Sequence, residues 1–156
     1  MNYKLPPKYQ FVTGSSLDRA TLVKFMQKTY QELFPEQNFS HLAVTVDKYF
    51  SGETPVWWVE EKLENAVRNR VGCLWMGNGI DQVRGDRHAH IFLLYVAPKH
   101  RRQGIGKSLM LVGEDWAKNR GDRQISLQVF QSNQPAVNLY CQLGFQTQSL
   151  WMVKHI

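Results

Sequence analysis

Between Leu17 and Pro35 the apolar positions Ala20, Val23, Met26, Tyr30, Leu33 and Phe34 recur at helical spacing, which predicts a first helix that Pro35 stops. A short strand-forming run over residues 9–12 precedes it, broken by Thr13-Gly14, and Ser15 or Ser16 supplies the cap. A second helical pattern starts near Ser40, carries Leu42, Val46, Tyr49 and Phe50, and ends at Ser51-Gly52. Residues 56–60 and 70–76 read as two adjacent strands joined by a polar segment. Gly77, Asn78 and Gly79 then mark a turn, and residues 81–88 an exposed hairpin tip. The run 90–96, His-Ile-Phe-Leu-Leu-Tyr-Val, is almost continuously apolar, as a central strand covered on both faces should be.

Residues 105–118 return to helical period, with Leu109, Val112 and Trp116 on one face. Residues 124–130 alternate like a strand, with Ile125, Leu127 and Val129 on one side. Residues 133–143 are helical up to Gly144, and residues 145–153 supply one or two last strands. No internal repeat or low-complexity tract interrupts the order. The layout is α/β of the α+β type: one domain over residues 1–156, with about four helices covering a mixed, largely antiparallel sheet.

Composition narrows the class. A chain of 156 residues with 43% hydrophobic and 21% charged content suits one well-cored globular domain. It has no apolar run long enough for a membrane span, and its first ten residues lack an apolar signal region, so a cytoplasmic location is expected. Cys73 and Cys141 lie far apart and outside any C-x-x-C pair, which points to two reduced, largely buried thiols and to no metal site. The net charge of +6 is unevenly spread. Lys99, Arg101, Arg102, Lys107, Lys118, Arg120 and Arg123 form a basic stretch; Glu32, Glu36, Asp47, Glu53, Glu60, Glu61 and Glu64 form an acidic one. A basic nucleic-acid-binding module is therefore one reading of the charge.

Two motifs carry candidate chemistry. Arg101-Arg102-Gln103-Gly104-Ile105-Gly106-Lys107 joins the apolar strand to the following helix. Glycines there let backbone N–H groups approach an anion, and the helix N-terminus adds unpaired donors and partial positive charge. Residues 133–145, Asn-Gln-Pro-Ala-Val-Asn-Leu-Tyr-Cys-Gln-Leu-Gly-Phe, place Asn133 at a helix start and Tyr140 two turns along the same side.

With these two blocks in this order, the chain resembles the GNAT superfamily of acetyl-CoA-dependent N-acetyltransferases. Residues 101–106 match its R/Q-x-x-G-x-G/A loop, residues 94–98 the strand before it, and residues 133–145 its N-x-x-A-x-x-L-Y-x-x-x-G-F block. The specific match covers roughly residues 90–146. The resemblance implies a GNAT-like sheet of six to seven strands. It implies that acetyl-CoA donates its acetyl group to a primary amine, on a small molecule or a protein N-terminus, by direct attack in a ternary complex without a metal. Backbone groups of Leu94, Tyr95 and Val96 would pair with the pantetheine arm. Arg101, Arg102, Gln103, Gly104, Ile105, Gly106 and Lys107 would hold the pyrophosphate, and Asn133 the cofactor arm. Tyr140 would protonate the departing thiolate.

Many relatives carry a glutamate as general base on the strand before the Asn133 block, where this chain has Gln128. An amide cannot take the proton, which leaves Glu60, Glu61, His88 and His90 as base candidates and makes a non-catalytic acetyl-CoA sensor an alternative. Of the neighbours Trp57 and Trp58, opposite pointing puts one in the core and the other towards the acceptor cleft. The acidic stretch lies where this fold forms that cleft, which favours a cationic acceptor. A homodimer is compatible with the sequence.

Overall fold

The computed structural model describes residues 4–156. Strand β1 (Tyr9–Thr13) leads into a short 3-10 turn and helix α1 (Arg19–Leu33), then α2 (Leu42–Tyr49), β2 (Val56–Lys62), β3 (Arg68–Ile80), β4 (Arg87–Val96), α3 (Ile105–Asn119), β5 (Ile125–Leu127) and α4 (Gln134–Gln142). The cap before α1 is Ser15: its hydroxyl accepts from the Leu17 N–H, and the Asp18 carboxylate accepts from the Ser15 N–H at 2.8 Å.

The five strands form one sheet in chain order. Neighbours from β1 to β4 are antiparallel, and β5 lies parallel to β4. Its two faces bury separate cores. Helices α1 and α2 cover Trp58, Cys73, Trp75, Leu93 and Tyr95 with Leu22, Phe25, Met26, Leu42 and Val46. On the opposite face Ile105, Leu109, Met110 and Ala117 of α3 pack on Val59, Val71, Leu74, Met76, Ala89 and Ile91. Between β2, β3 and the start of α1, Asp18 accepts from Trp58 Nε1 at 3.0 Å and pairs with Arg70 at 2.8 Å. Burial alone would raise the Asp18 pKa; the bonds from Ser15, Arg70 and Trp58, with the Arg70 charge, outweigh it and hold it below the usual carboxylate value.

The structure departs from the sequence expectations at four places. Gly77 and Gly79 are not a turn but lie inside β3, which runs on to Ile80. A Cβ on Gly77 would stand 2.2 Å from the Phe92 ring, and one on Gly79 would stand 2.7 Å from the His88 ring. Both glycines clear space for side chains of β4, and that strand accordingly starts at Arg87 rather than His90. Second, β4 carries a bulge: Trp75 faces Leu93 and Met76 faces Ile91, leaving Phe92 as the extra residue. Third, β5 spans three residues instead of seven, because its ladder to β4 ends at Leu127. Fourth, residues 145–153 form no strand, so the sheet has five strands rather than six or seven.

The thiols and tryptophans also divide differently from expectation. Cys73 is buried and burial pushes its thiol pKa far up, whereas Cys141 is exposed on α4, whose contact with the body is one-sided. Trp58 is core, and Trp57 packs edge-on against Trp116 of α3, so neither turns towards the cleft described below.

Candidate functional site

β4 and β5 pair only over Ala89–Ile125, His90–Ser126 and Ile91–Leu127. Beyond Ile91 the two segments part, and the edge of β4 from Phe92 onwards has no strand partner on that side. The parting opens a groove lined by Ile91, Phe92, Leu93 and Leu94 of β4, by residues 127–130, by Thr29, Tyr30 and Leu33 of α1, and by Asn133, Ala136 and Tyr140. The bulge at Phe92 sits in this wall. One extra residue there re-aims the strand where its edge becomes free.

The basic loop follows β4 and opens α3; none of its residues lines the groove, but a Cβ on Gly106 would stand 3.5 Å from Leu139 of α4. Gly104 precedes α3 in the left-handed region, with φ of 80°, and nothing lies within 4 Å of where its Cβ would point. Helix geometry leaves the N–H groups of Ile105, Gly106 and Lys107 without intrahelical acceptors. The 105–107 donors, a bare backbone approach at Gly104 and the positive helix end make a site suited to a phosphate group. The loop is tied to β1 and β2: Tyr9 Oη lies 2.7 Å from His100 Nδ1 and 3.3 Å from Gln103 Oε1, and His100 Nε2 lies 3.7 Å from Glu61. Arg101 does not extend towards that site. It donates to the Val96 carbonyl at 2.7 Å and to Glu32 of α1 at 2.8 Å.

Asn133 and Tyr140 line the same groove, as their spacing along α4 predicts. Asn133 stands at the helix start, yet its side chain makes no capping bond. Tyr140 packs edge-on against Phe145, and burial pushes its pKa up to about 12. The four base candidates divide. Glu60 pairs with Arg70 at 3.6 Å and accepts from Gln10, and Glu61 supports His100; neither lines the groove. His90 Nδ1 lies 2.7 Å from Ser126 Oγ, and His88 Nε2 lies 2.8 Å from the same oxygen. Neither histidine lines the groove, but His90 meets edge-on the ring of Phe92, which does. Burial first, then the neighbouring His88, lowers its pKa below the usual imidazole value, so the ring is neutral at neutral pH.

Gln128 lies in the wall, where the sequence leaves an amide in place of a carboxylate. None of the seven acidic residues from Glu32 to Glu64 lines the groove. The wall there is aromatic instead: Tyr30 and Phe34 both pack edge-on against Phe130, and Tyr30 also contacts Phe39. Tyr30 and Leu33 read in the sequence as a plain core stripe, and Ser126 had no motif to mark it. Only the parting of β4 from β5 gives these residues a groove to face. Among the described residues no cluster of three or more His, Cys, Asp or Glu could hold a metal ion, and no helix is long and apolar enough to cross a membrane.

Residues 20–145 match the model of the acetyltransferase (GNAT) family. Human N-acetyltransferase 8 is 31% identical over 98 residues, which is 63% of this chain and 41% of that protein. Streptothricin acetyltransferase of Streptomyces lavendulae is 44% identical over 50 residues, 32% of this chain and 26% of that one. The chain thus spans only a quarter to two fifths of the length of these curated relatives. Solved structures align almost end to end. A putative acetyl transferase from Pyrococcus furiosus superposes with a TM-score of 0.68 at 28% identity, over 95% of this chain and 99% of that one. A predicted acetyltransferase from Clostridium acetobutylicum, solved with acetyl-CoA, superposes with a TM-score of 0.74 at 18% identity, over 94% and 96% of the two chains.

Proposed function

Because the chain belongs to the acetyltransferase (GNAT) family, we propose that it transfers the acetyl group of acetyl-CoA to a primary amine bound in the groove between β4 and β5. The observation that carries this reading is a groove that joins a free β-edge to Tyr140, with a phosphate-suited helix start at the end of the same strand, next to α4. A pantetheine arm is an extended chain of amides, and the unpaired edge at Leu94 and Tyr95 offers it the donors and acceptors of a missing strand. Gly104, Ile105, Gly106 and Lys107 would take the pyrophosphate, and Asn133 would bond the arm.

Acetyl-CoA supplies a thioester carbonyl open to direct attack by an amine. The protein's part is to hold both and to manage two protons. Tyr140 keeps its proton at Oη across the physiological range, since burial raises its pKa to about 12, and donates it to the departing sulfur. For the amine's proton, His90, which touches the groove-lining Phe92, is favoured over Glu60 and Glu61, which are engaged with Arg70 and His100. Its ring is neutral and held by Ser126 beside Phe92, so it would receive the proton through water. Direct attack needs no cysteine nucleophile, in keeping with the buried, unreactive Cys73.

The acceptor wall of Tyr30, Leu33 and Phe130 suits an amine carried on an apolar or aromatic body, and aromatic faces also accommodate a cationic amine. A thiol-release screen of acetyl-CoA against aromatic, aliphatic, cationic and anionic amines, including short peptides with free N-termini, tests the proposal. Turnover with at least one amine class, lost in Gly104→Val, is expected. A second reading, a non-catalytic acetyl-CoA sensor, draws on Gln128 in the wall. Tight acetyl-CoA binding with no turnover on any amine would favour it.

A further inference from the structure

Two histidines of β4 stand opposite two glycines of β3: His88 faces Gly79, and His90 faces Gly77. Residues two apart on a strand share a face, so both rings lie on the same side of the sheet. A Cβ on Gly79 would stand 2.7 Å from His88 Nε2, so the bare glycine gives that ring its place. On the other side of β4, Ser126 of β5 is the register partner of His90. Both rings converge on its hydroxyl: Ser126 Oγ lies 2.8 Å from His88 Nε2 and 2.7 Å from His90 Nδ1. At the far end Gln124 Nε2 lies 3.3 Å from His88 Nδ1. His90 Nε2 has no hydrogen bond to a described residue. Gln124, His88, Ser126 and His90 thus form one line that ends on a free ring nitrogen.

The protons of this line are not independent. A serine hydroxyl carries one proton, so one of the two nitrogens that meet it must accept, and the other bonds only by donating its own. A neutral imidazole has one N–H, so what one nitrogen carries fixes the other. Two arrangements satisfy every bond. In the first, the Gln124 amide N–H donates to His88 Nδ1, His88 Nε2–H to Ser126, and the hydroxyl to His90 Nδ1; His90 then carries its proton on Nε2. This is the arrangement that the Gln124 Nε2 contact selects. In the second, the amide turns over and Gln124 Oε1 accepts from His88 Nδ1–H. His88 Nε2 accepts from Ser126, Ser126 accepts from His90 Nδ1–H, and His90 Nε2 is left with a bare lone pair. Both rings are protonated on Nε2 or both on Nδ1; a mixed pair breaks the line.

We propose that Gln124, acting through His88 and Ser126, selects which nitrogen of His90 carries the ring proton, and so whether His90 can take the proton of the amine. The second half rests on the reading of His90 as that base. In the second arrangement the amine's proton reaches His90 Nε2 through water, and its N–H bonding pair stays on the amine nitrogen. His90 Nδ1–H passes to Ser126 Oγ, the hydroxyl proton to His88 Nε2, and His88 Nδ1–H leaves to water. One proton enters, one leaves, and the line is back in its first arrangement. Gln124, His88 and Ser126 are positioning residues. The surroundings add little competing charge: β3 presents glycine to both rings, and Tyr49 of α2 stacks on Phe92. Arg87 and Arg123, which flank the line in sequence, are paired with Asp122 and Asp86, and Asp122 also with Arg120.

The test is ring-nitrogen NMR of the full chain at about pH 9, where imidazoles of reference pKa ~6.5 are neutral, with circular dichroism as the check of folding. Both rings of the native chain should carry the proton on Nε2. Gln124→Glu offers only an acceptor, and should move the proton to Nδ1 in His88 and His90 alike. With Ser126→Ala added the change should stop at His88; Ser126→Thr, which keeps the hydroxyl, should let it through. A mixed pair in the native chain would overturn the proposal. So would a His90 tautomer that ignores residue 124 while Ser126 is present, or one that follows it in the alanine double variant. Thiol release from acetyl-CoA with benzylamine is the second readout. Gln124→Glu should raise kcat several-fold with the KM for acetyl-CoA unchanged, and the double variant should lose the gain. Tautomers that move together with no gain in rate would overturn His90 as the base, and with it the second half of the proposal.

Discussion

Arg101 Nη2 lies 2.8 Å from both carboxylate oxygens of Glu32, so the loop before α3 is tied to α1. The sequence casts Arg101 with Arg102 and Lys107 as counter-charge for phosphate. The structure gives it a different partner, and the three substitutions should therefore differ. Arg102→Ala and Lys107→Ala should weaken acetyl-CoA binding several-fold, more at low salt than at high. Arg101→Ala should leave that affinity within about twofold, and should cost under about 1 kcal/mol of stability because the pair is more than a third exposed. Calorimetric titration of the three variants at two salt concentrations checks the order; an equal loss in all three would return Arg101 to the phosphate site.

Tyr140→Phe removes a proton donor and little else, since the hydroxyl makes no hydrogen bond to any described residue. Turnover should fall about 10²–10⁴-fold with acetyl-CoA affinity unchanged. The rate should also show no alkaline decline from Tyr140 below about pH 10, because its pKa is raised to about 12. A full rate in the phenylalanine variant, under conditions where chemistry limits, would reduce Tyr140 to a packing residue.

His90 predicts an acidic limb. Its pKa in the folded chain lies below the usual imidazole value, so the ring accepts a proton above that pKa and cannot below it. Rate should therefore hold from neutrality down to about pH 6.5 and drop as the pH falls further, towards the folded pKa. Stability has the same sign: the unfolded chain binds the proton first, so folding weakens as pH falls through that window. His90→Gln should remove the limb and lower the rate. A pH–rate profile unchanged in that variant assigns the limb to another group.

Gly77→Ala tests the packing behind the bulge. Its Cβ would meet Phe92 at 2.2 Å, a contact that the ring must relieve by moving. A loss of about 1–3 kcal/mol is expected from overpacking. Thermal unfolding measures it, and the double variant Gly77→Ala, Phe92→Leu should recover part of the loss. No recovery would mean that the cost arises elsewhere in β3.

How much of this was legible in advance differs by element. Asn133 and Tyr140 could be read because a helix converts sequence spacing into a shared side through geometry alone. The Gly104 loop could be read because its work is done by the backbone, whose needs only glycine announces. Gly77 and Gly79 could not, because the residues that require them, Phe92 and His88, lie on another strand. Glu32 looked like surface charge until α1 brought it to Arg101. The groove wall of Tyr30, Gln128 and Phe130 is a product of two segments parting, and no local pattern encodes a missing ladder. Residues 145–153 have strand chemistry and no strand, for want of a neighbour within the described fold.

The bulge at Phe92 has a further consequence, one of phase. Before it, Ala89 and Ile91 point to the α3 face; after it, Leu93 and Tyr95 point to the α1 face, so odd and even positions exchange sides within one strand. The extra residue lets the sides exchange while each pair stays within one core, Ile91 opposite Met76 and Leu93 opposite Trp75. Deleting Phe92 would restore plain alternation and leave both cores in phase. What it would remove is the bend at the point where the edge becomes free, together with the ring that packs on Tyr49, Trp75 and His90. The bulge thus shapes the groove without being needed for the cores, and its loss should show in the site before it shows in stability.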